Sequence, residues 1–131
     1  MTSASDPNFL IENSVKAKLP GLAFAVMKDV VLGKKYSLAL HIVDEAEIKR
    51  LNSTYRKIDE VTDILSFPIS EDTGEIFINL DKTKTEAVKF ERTFENFLAY
   101  LFIHGLVHLK GYDHSSTMES IEKRIRSKFH I

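Results

Sequence analysis

The sequence predicts a single α+β domain, a small mixed sheet of about four strands packed on helices around one central buried helix over residues 90–110. Three observations carry this prediction. Short apolar, β-branched runs (YSLALHIV, DILSF, EIFINL) are bounded by polar turn residues, as strands are. The segments between them repeat their apolar residues at helical spacing. The stretch from Phe90 to Lys110 begins as an amphipathic helix and becomes apolar on nearly every side, as a helix at the centre of a domain must be. A length of 131 residues holds one ordinary domain, so residues 1–131 are taken as one unit.

Taken in order, residues 1–7 are polar, and Phe9 to Asn13 is a short apolar segment suited to an edge strand. Pro20-Gly21 breaks the chain before a helix that runs to about Leu32, with Gly33 as its stop signal. Tyr36 to Val43 is a buried strand. Asp44 is a good N-cap, and Glu47 three residues on makes a capping box. In the helix that follows, Ile48, Leu51 and Tyr55 recur on one face and are expected to be buried, and Arg56 comes at its C-terminal end. DILSF is a strand expected to end at Pro68; a turn at SEDTG leads into the strand EIFINL. Residues 81–89 are polar enough for a loop or a short exposed helix. In the 90–110 helix Phe90, Phe94, Phe97 and Leu101 form one stripe, which His104 and His108 continue; Gly111 then ends the helix. The last helix runs from about Met118 to Phe129, its cations toward the C-terminus, where they complement the dipole.

Composition excludes several classes. With 44% hydrophobic and 28% charged residues the chain can build a core, and no apolar run approaches the roughly 18 residues of a membrane span. The start lacks the basic and apolar regions of a secretory signal, so the expected location is the cytoplasm and no membrane partner is expected. Zero cysteines exclude disulfides and thiolate metal sites. A net charge of −1 gives no global pull toward nucleic acid, so any RNA-binding surface must be local. The basic residues of the last helix alternate with Glu119 and Glu122, which favours a solvated face there.

The chemistry lies in HGLVHLKGYDH, residues 104–114, which holds three of the five histidines. Residues i and i+4 project side by side from a helix, so His104 and His108 can grip one ion. Gly111 reverses the chain and lets His114 return to the same point. Three neutral imidazoles with an open fourth position are the coordination of a catalytic zinc. One zinc ion per chain is therefore expected. His41 and His130 are expected to be ordinary strand and terminal residues. The spacing HxxxHxxGxxH is shared with a class of zinc proteases, but those carry Glu directly after the first histidine as general base. Here that position is Gly105. A glycine there is expected to leave space beside the metal, and proteolysis is disfavoured.

The motif HGLVHLKGYDH, with LNSTYRKIDEVTDILSFP and GEIFINL, resembles the YbeY family of bacterial endoribonucleases. The resemblance runs from about Tyr36 to the end. The family's H-G-x-L-H-L-x-G-Y-D-H pattern is met with Val107 in place of Leu. Its Y-R and T-D-x-L-S-F-P patterns are met by Tyr55-Arg56 and by Thr62 to Pro68, and its G-D-I by Gly74, Glu75 and Ile76. Met118 and Glu122 fit M-x-x-x-E. The resemblance implies a small α+β fold, a zinc-binding triad of His104, His108 and His114, and Arg56 as the residue needed for cleavage. The implied substrate is single-stranded ribosomal RNA, processed chiefly at the 3′ end of the small-subunit molecule, with roles in ribosome quality control. The implied partners are small-subunit proteins or assembly factors. By position alone Arg56 reads first as a solvated cation at a helix end, and the resemblance reverses that. Ser66 could line the cleft or cap a local amide, Asp63 is a weaker site candidate, and Asp113 could orient a ligand histidine or shape the turn. The competing functions are a zinc protease-like hydrolase, and a ribosome assembly factor in which zinc only organises the fold.

Overall fold

A computed structural model describes residues 8–112 and 116–131. Along the chain run β1 (Phe9–Asn13), α1 (Phe24–Leu32), β2 (Ser37–Ile42), α2 (Glu45–Arg56), β3 (Ile64–Ser70), β4 (Thr73–Ile78), α3 (Leu80–Lys89), α4 (Phe94–Leu109) and α5 (Ser116–Lys128). The four strands form one mixed sheet in the order β1-β2-β4-β3. β1 and β4 run parallel to β2 on either side, and β3 pairs antiparallel with β4. The two parallel pairings need long crossovers, which α1 and α2 provide, whereas the antiparallel pair closes through a tight turn.

Alternation along the strands fixes two faces. Leu38, Leu40, Ile42, Ile76 and Ile78 are 0–3% exposed and point to one side, where Leu98, Phe102, Ile103 and Leu106 of α4 are fully buried against the same core. Fully burying each such side chain contributes ~1.5–3 kcal/mol, so the α4–sheet contact is the main source of cohesion. On the other face α2 packs through Ile48 and Leu51 onto Val43 and Leu65. The domain is thus α+β with a four-stranded mixed sheet, β1 lies at an edge as expected, and α4 is its buried central helix.

Three local expectations are corrected, and one left open between two forms is settled. Strand β3 continues through Pro68 to Ser70. It can do so because β3 is an edge strand, where a missing N–H need not break a ladder, and the register shifts between Pro68 and Ser70. Of the two forms expected for residues 81–89 the helix is found, over Leu80–Lys89, because Asn79 caps it: its Oδ1 accepts from Lys82 N–H (2.8 Å) and its Nδ2 donates to the Val43 carbonyl (3.1 Å). Helix α4 begins at Phe94, not Phe90, since the Thr93 hydroxyl accepts from Asn96 N–H (3.1 Å). Phe90 instead stacks on Phe97 from outside the helix, with ring centroids 5.3 Å apart. Tyr55 is 65% exposed rather than buried, its ring leaning on Phe67 of β3 with centroids 5.3 Å apart.

Candidate active site

Arg56 is the last residue of α2, and local chemistry holds that end in place. At the start of the helix Asp44 Oδ1 accepts from Glu47 N–H (2.9 Å), as its capping pattern predicts. Glu47 turns its own carboxylate to Arg50, with contacts of 2.9 and 2.8 Å. At the far end Lys57 adopts the left-handed conformation (φ 61°) and its N–H donates to the carbonyls of Asn52 and Ser53. Buried Asn52 then donates to the Glu60 carbonyl (3.0 Å), tying the following loop back to the helix.

His104 and His108 lie one turn apart on α4, and both are half-buried. They line a cleft of about 440 Å³ with Arg56 and with Ile64, Leu65, Ser66 and Phe67 of β3. Two sequence-distant segments thus bring a guanidinium to a pair of imidazoles across the same strand. Ser66 stands in this cleft. Asp63 is not among its lining residues; its carbonyl accepts from Asn79 N–H (3.0 Å), and burial pushes its carboxyl above the usual range. His41 lies on the opposite face of the sheet, stacked on Phe77 at 4.4 Å and hydrogen-bonded to Glu75 at 3.1 Å, and His130 is exposed in the terminal turn. Neither lines the cleft.

Gly105 is where the structure differs most from expectation. It opens no space. A Cβ at this position would stand 2.9 Å from Ser66 Oγ, 3.0 Å from Ile64 Cδ1 and 3.1 Å from Ile76 Cδ1. The glycine lets α4 press directly onto β3 and β4, and that contact brings His104 and His108 against the strand.

His114 and Asp113 lie outside the described residues. Among the described residues no group of three or more His, Cys, Asp or Glu side chains is arranged to hold a metal. His104 and His108 fit a zinc ion as a donor pair: they are imidazoles, which suit that metal, at the i, i+4 spacing and on one cleft wall. Gly111 has a φ of +110° and its N–H donates to the His108 carbonyl (3.0 Å), so the helix does end in the turn that precedes His114.

One residue at this site was not singled out for it from the sequence. Glu122 of α5 is 4% exposed and one of its oxygens lies 3.0 Å from His104 Nδ1. The available signal was its place on the buried stripe Met118–Glu122–Ile125, since a carboxylate on an apolar face needs a partner.

Comparison with known proteins agrees with this architecture. A protein-family model described as endoribonuclease YbeY matches residues 6–130. Curated proteins named endoribonuclease YbeY are similar to the chain. The one from Ureaplasma parvum is 38% identical, covering 82% of this chain and 79% of its own length. The one from Caldanaerobacter subterraneus is 33% identical, covering 92% of each. A solution structure of a Thermotoga maritima protein superposes with a TM-score of 0.61 at 28% identity, over 92% of this chain and 90% of the other. The chain belongs to the YbeY endoribonuclease family.

Proposed function

We propose that this protein is a zinc-dependent endoribonuclease that hydrolyses single-stranded RNA in the cleft between α2, β3 and α4. The observation that carries the proposal is the meeting of Arg56 with His104 and His108 in one cleft lined by β3. His104, His108 and His114 would hold the ion, one per chain. The chemistry such an ion supplies is Lewis-acid polarisation of a phosphoryl oxygen and a shift of water's pKa toward ~7. Arg56 binds the scissile phosphate. Its planar, permanently charged fork matches two phosphoryl oxygens, and it stabilises the negative charge that grows on them as the bond to the leaving oxygen breaks. Leu65 and Phe67 add apolar surface to the cleft lining beside Arg56. The substrate proposed is ribosomal RNA, in particular the 3′ end of the small-subunit molecule, handled with small-subunit proteins or assembly factors. The names of the relatives support the RNA part of this reading. The resemblance of the HGLVHLKGYDH and Y-R motifs supports the rest.

The direct test is cleavage of an end-labelled single-stranded RNA by purified protein, by chelator-treated protein, and by the treated protein resupplied with zinc. Cleavage lost on chelation and restored by zinc is expected. Equal cleavage in all three samples would remove the metal from the reaction, and no cleavage in any would favour an assembly factor without turnover.

A further inference from the structure

We propose that Glu122 is the positioning residue of the histidine pair: it fixes His104 as the Nδ1–H tautomer, so that Nε2 is the nitrogen offered to the ion. This deepens the zinc reading above and rests on it for its purpose, but its structural half can be judged without metal. Glu122 comes from α5, while His104 and His108 come from α4, so this side chain links the last helix to the site.

Three observations carry the inference. The Glu122 carboxylate is 4% exposed on a helix face otherwise filled by Met118 and Ile125, where an unpartnered carboxylate would be costly. Its Oε2 lies 3.0 Å from His104 Nδ1, a hydrogen-bond distance at which a carboxylate oxygen accepts from an imidazole N–H; in the neutral ring that leaves the lone pair on Nε2. Its other oxygen, Oε1, lies 3.7 Å from Arg126, whose guanidinium rests over the Tyr100 ring at 4.7 Å. Arg126 thus holds the carboxylate from behind while Tyr100, on α4, holds Arg126. A carboxylate behind an imidazole fixes its rotation, makes the ring a stronger donor, and compensates the positive charge it acquires on coordination. Neither Arg126 nor Tyr100 lines the cleft, so both act through Glu122.

The test uses Glu122→Leu and Glu122→Gln in the full chain, with three readouts. ¹⁵N NMR of the imidazoles in metal-free protein, well above the ordinary histidine range, reports the tautomer of His104. Competition with a chromophoric chelator reports zinc affinity, and a melting curve reports the fold. The wild type should show His104 protonated on Nδ1. Glu122→Leu should mix the two tautomers and weaken zinc by about 10–100-fold. Glu122→Gln can still accept through its amide oxygen, so it should keep the tautomer yet bind zinc more weakly, because the charge is gone. If Glu122→Leu does not fold, Glu122→Gln decides. Zinc affinity unchanged in Glu122→Gln, or a wild-type His104 protonated on Nε2, would overturn the assignment. A wild type with the expected tautomer and no zinc affinity would sink the zinc reading and, with it, the purpose assigned to Glu122, leaving only the hydrogen bond.

Discussion

Gly105→Glu would write the HExxH pattern of zinc proteases into α4, and the structure predicts that the result is an unstable protein rather than a protease. The first added atom already meets three neighbours at 2.9–3.1 Å, two of them isoleucine methyls, and Ile76 has no exposed surface in which to move. Overpacking of this kind costs ~1–3 kcal/mol. The carboxylate must then be buried beside Ile64 and Ile76, which adds several kcal/mol unless it stays protonated. Helix propensity returns only ~0.5 kcal/mol, the advantage of Glu over Gly. With the carboxylate ionised the net is a loss of ~3 kcal/mol or more, a large part of the ~5–15 kcal/mol that holds a domain together. For a chain of this length, each kcal/mol lowers Tm by ~4 °C, so the drop should be about 12 °C or more. Circular-dichroism melting of the variant beside the parent measures it, and incubation with an unfolded protein substrate measures peptide cleavage. A variant that melts within a few degrees of the parent would refute the close-packing argument. Robust, chelator-sensitive proteolysis by it would show that the glycine was the only barrier to protease chemistry.

Other expectations follow from the same geometry. Purified protein should carry near-stoichiometric zinc, lost in His108→Ala with the fold retained, because His108 is a half-buried cleft residue and not part of the apolar core; elemental analysis with a melting curve checks this, and full metal retention after loss of both His104 and His108 would remove the site. Asp63 gives a pH dependence. Burial holds its carboxyl above the ordinary value of 3.8, so the folded protein binds more protons than the unfolded chain, and stability falls as pH rises from that value through the folded one. Asp63→Asn should therefore melt higher than the parent at neutral pH, with the gain vanishing in acid; no difference at neutral pH would contradict the burial argument.

What the sequence made legible was chemistry that acts within a few residues. Asp44 and Glu47 are three apart, and their N-cap contact forms as drawn. Gly111 ends α4 with the positive φ that its residue type permits. The apolar periodicity of residues 94–109 required a buried helix whatever it packed against. The start of α4 was legible locally in the Thr93 cap, whereas the other misses are contacts between distant segments. Pro68 reads as a stop unless one knows that β3 is an edge strand. Tyr55 sits on the helical stripe of Ile48 and Leu51, but nothing in α2 says how much of that stripe its partners cover. Gly105 reads as empty space until β3 and β4 are placed against it. Glu122 is eighteen residues from His104, and only the return of α5 onto α4 makes them partners. Of the site, Arg56, His104 and His108 were visible as motif residues. Their convergence on one cleft required the sheet.

The most direct test of the central claim is single-turnover cleavage of a single-stranded RNA by zinc-loaded Arg56→Ala and Arg56→Lys. Arg56 is an exposed helix-end residue that lines the cleft, so its loss should leave the melting temperature and metal content nearly unchanged. If it stabilises charge on the phosphate, Arg56→Ala should slow cleavage by ~10²–10³-fold. Lysine should recover only part of that, since an ammonium restores charge without the fork. A folded, metal-loaded Arg56→Ala protein that cleaves at the parent rate would contradict the account.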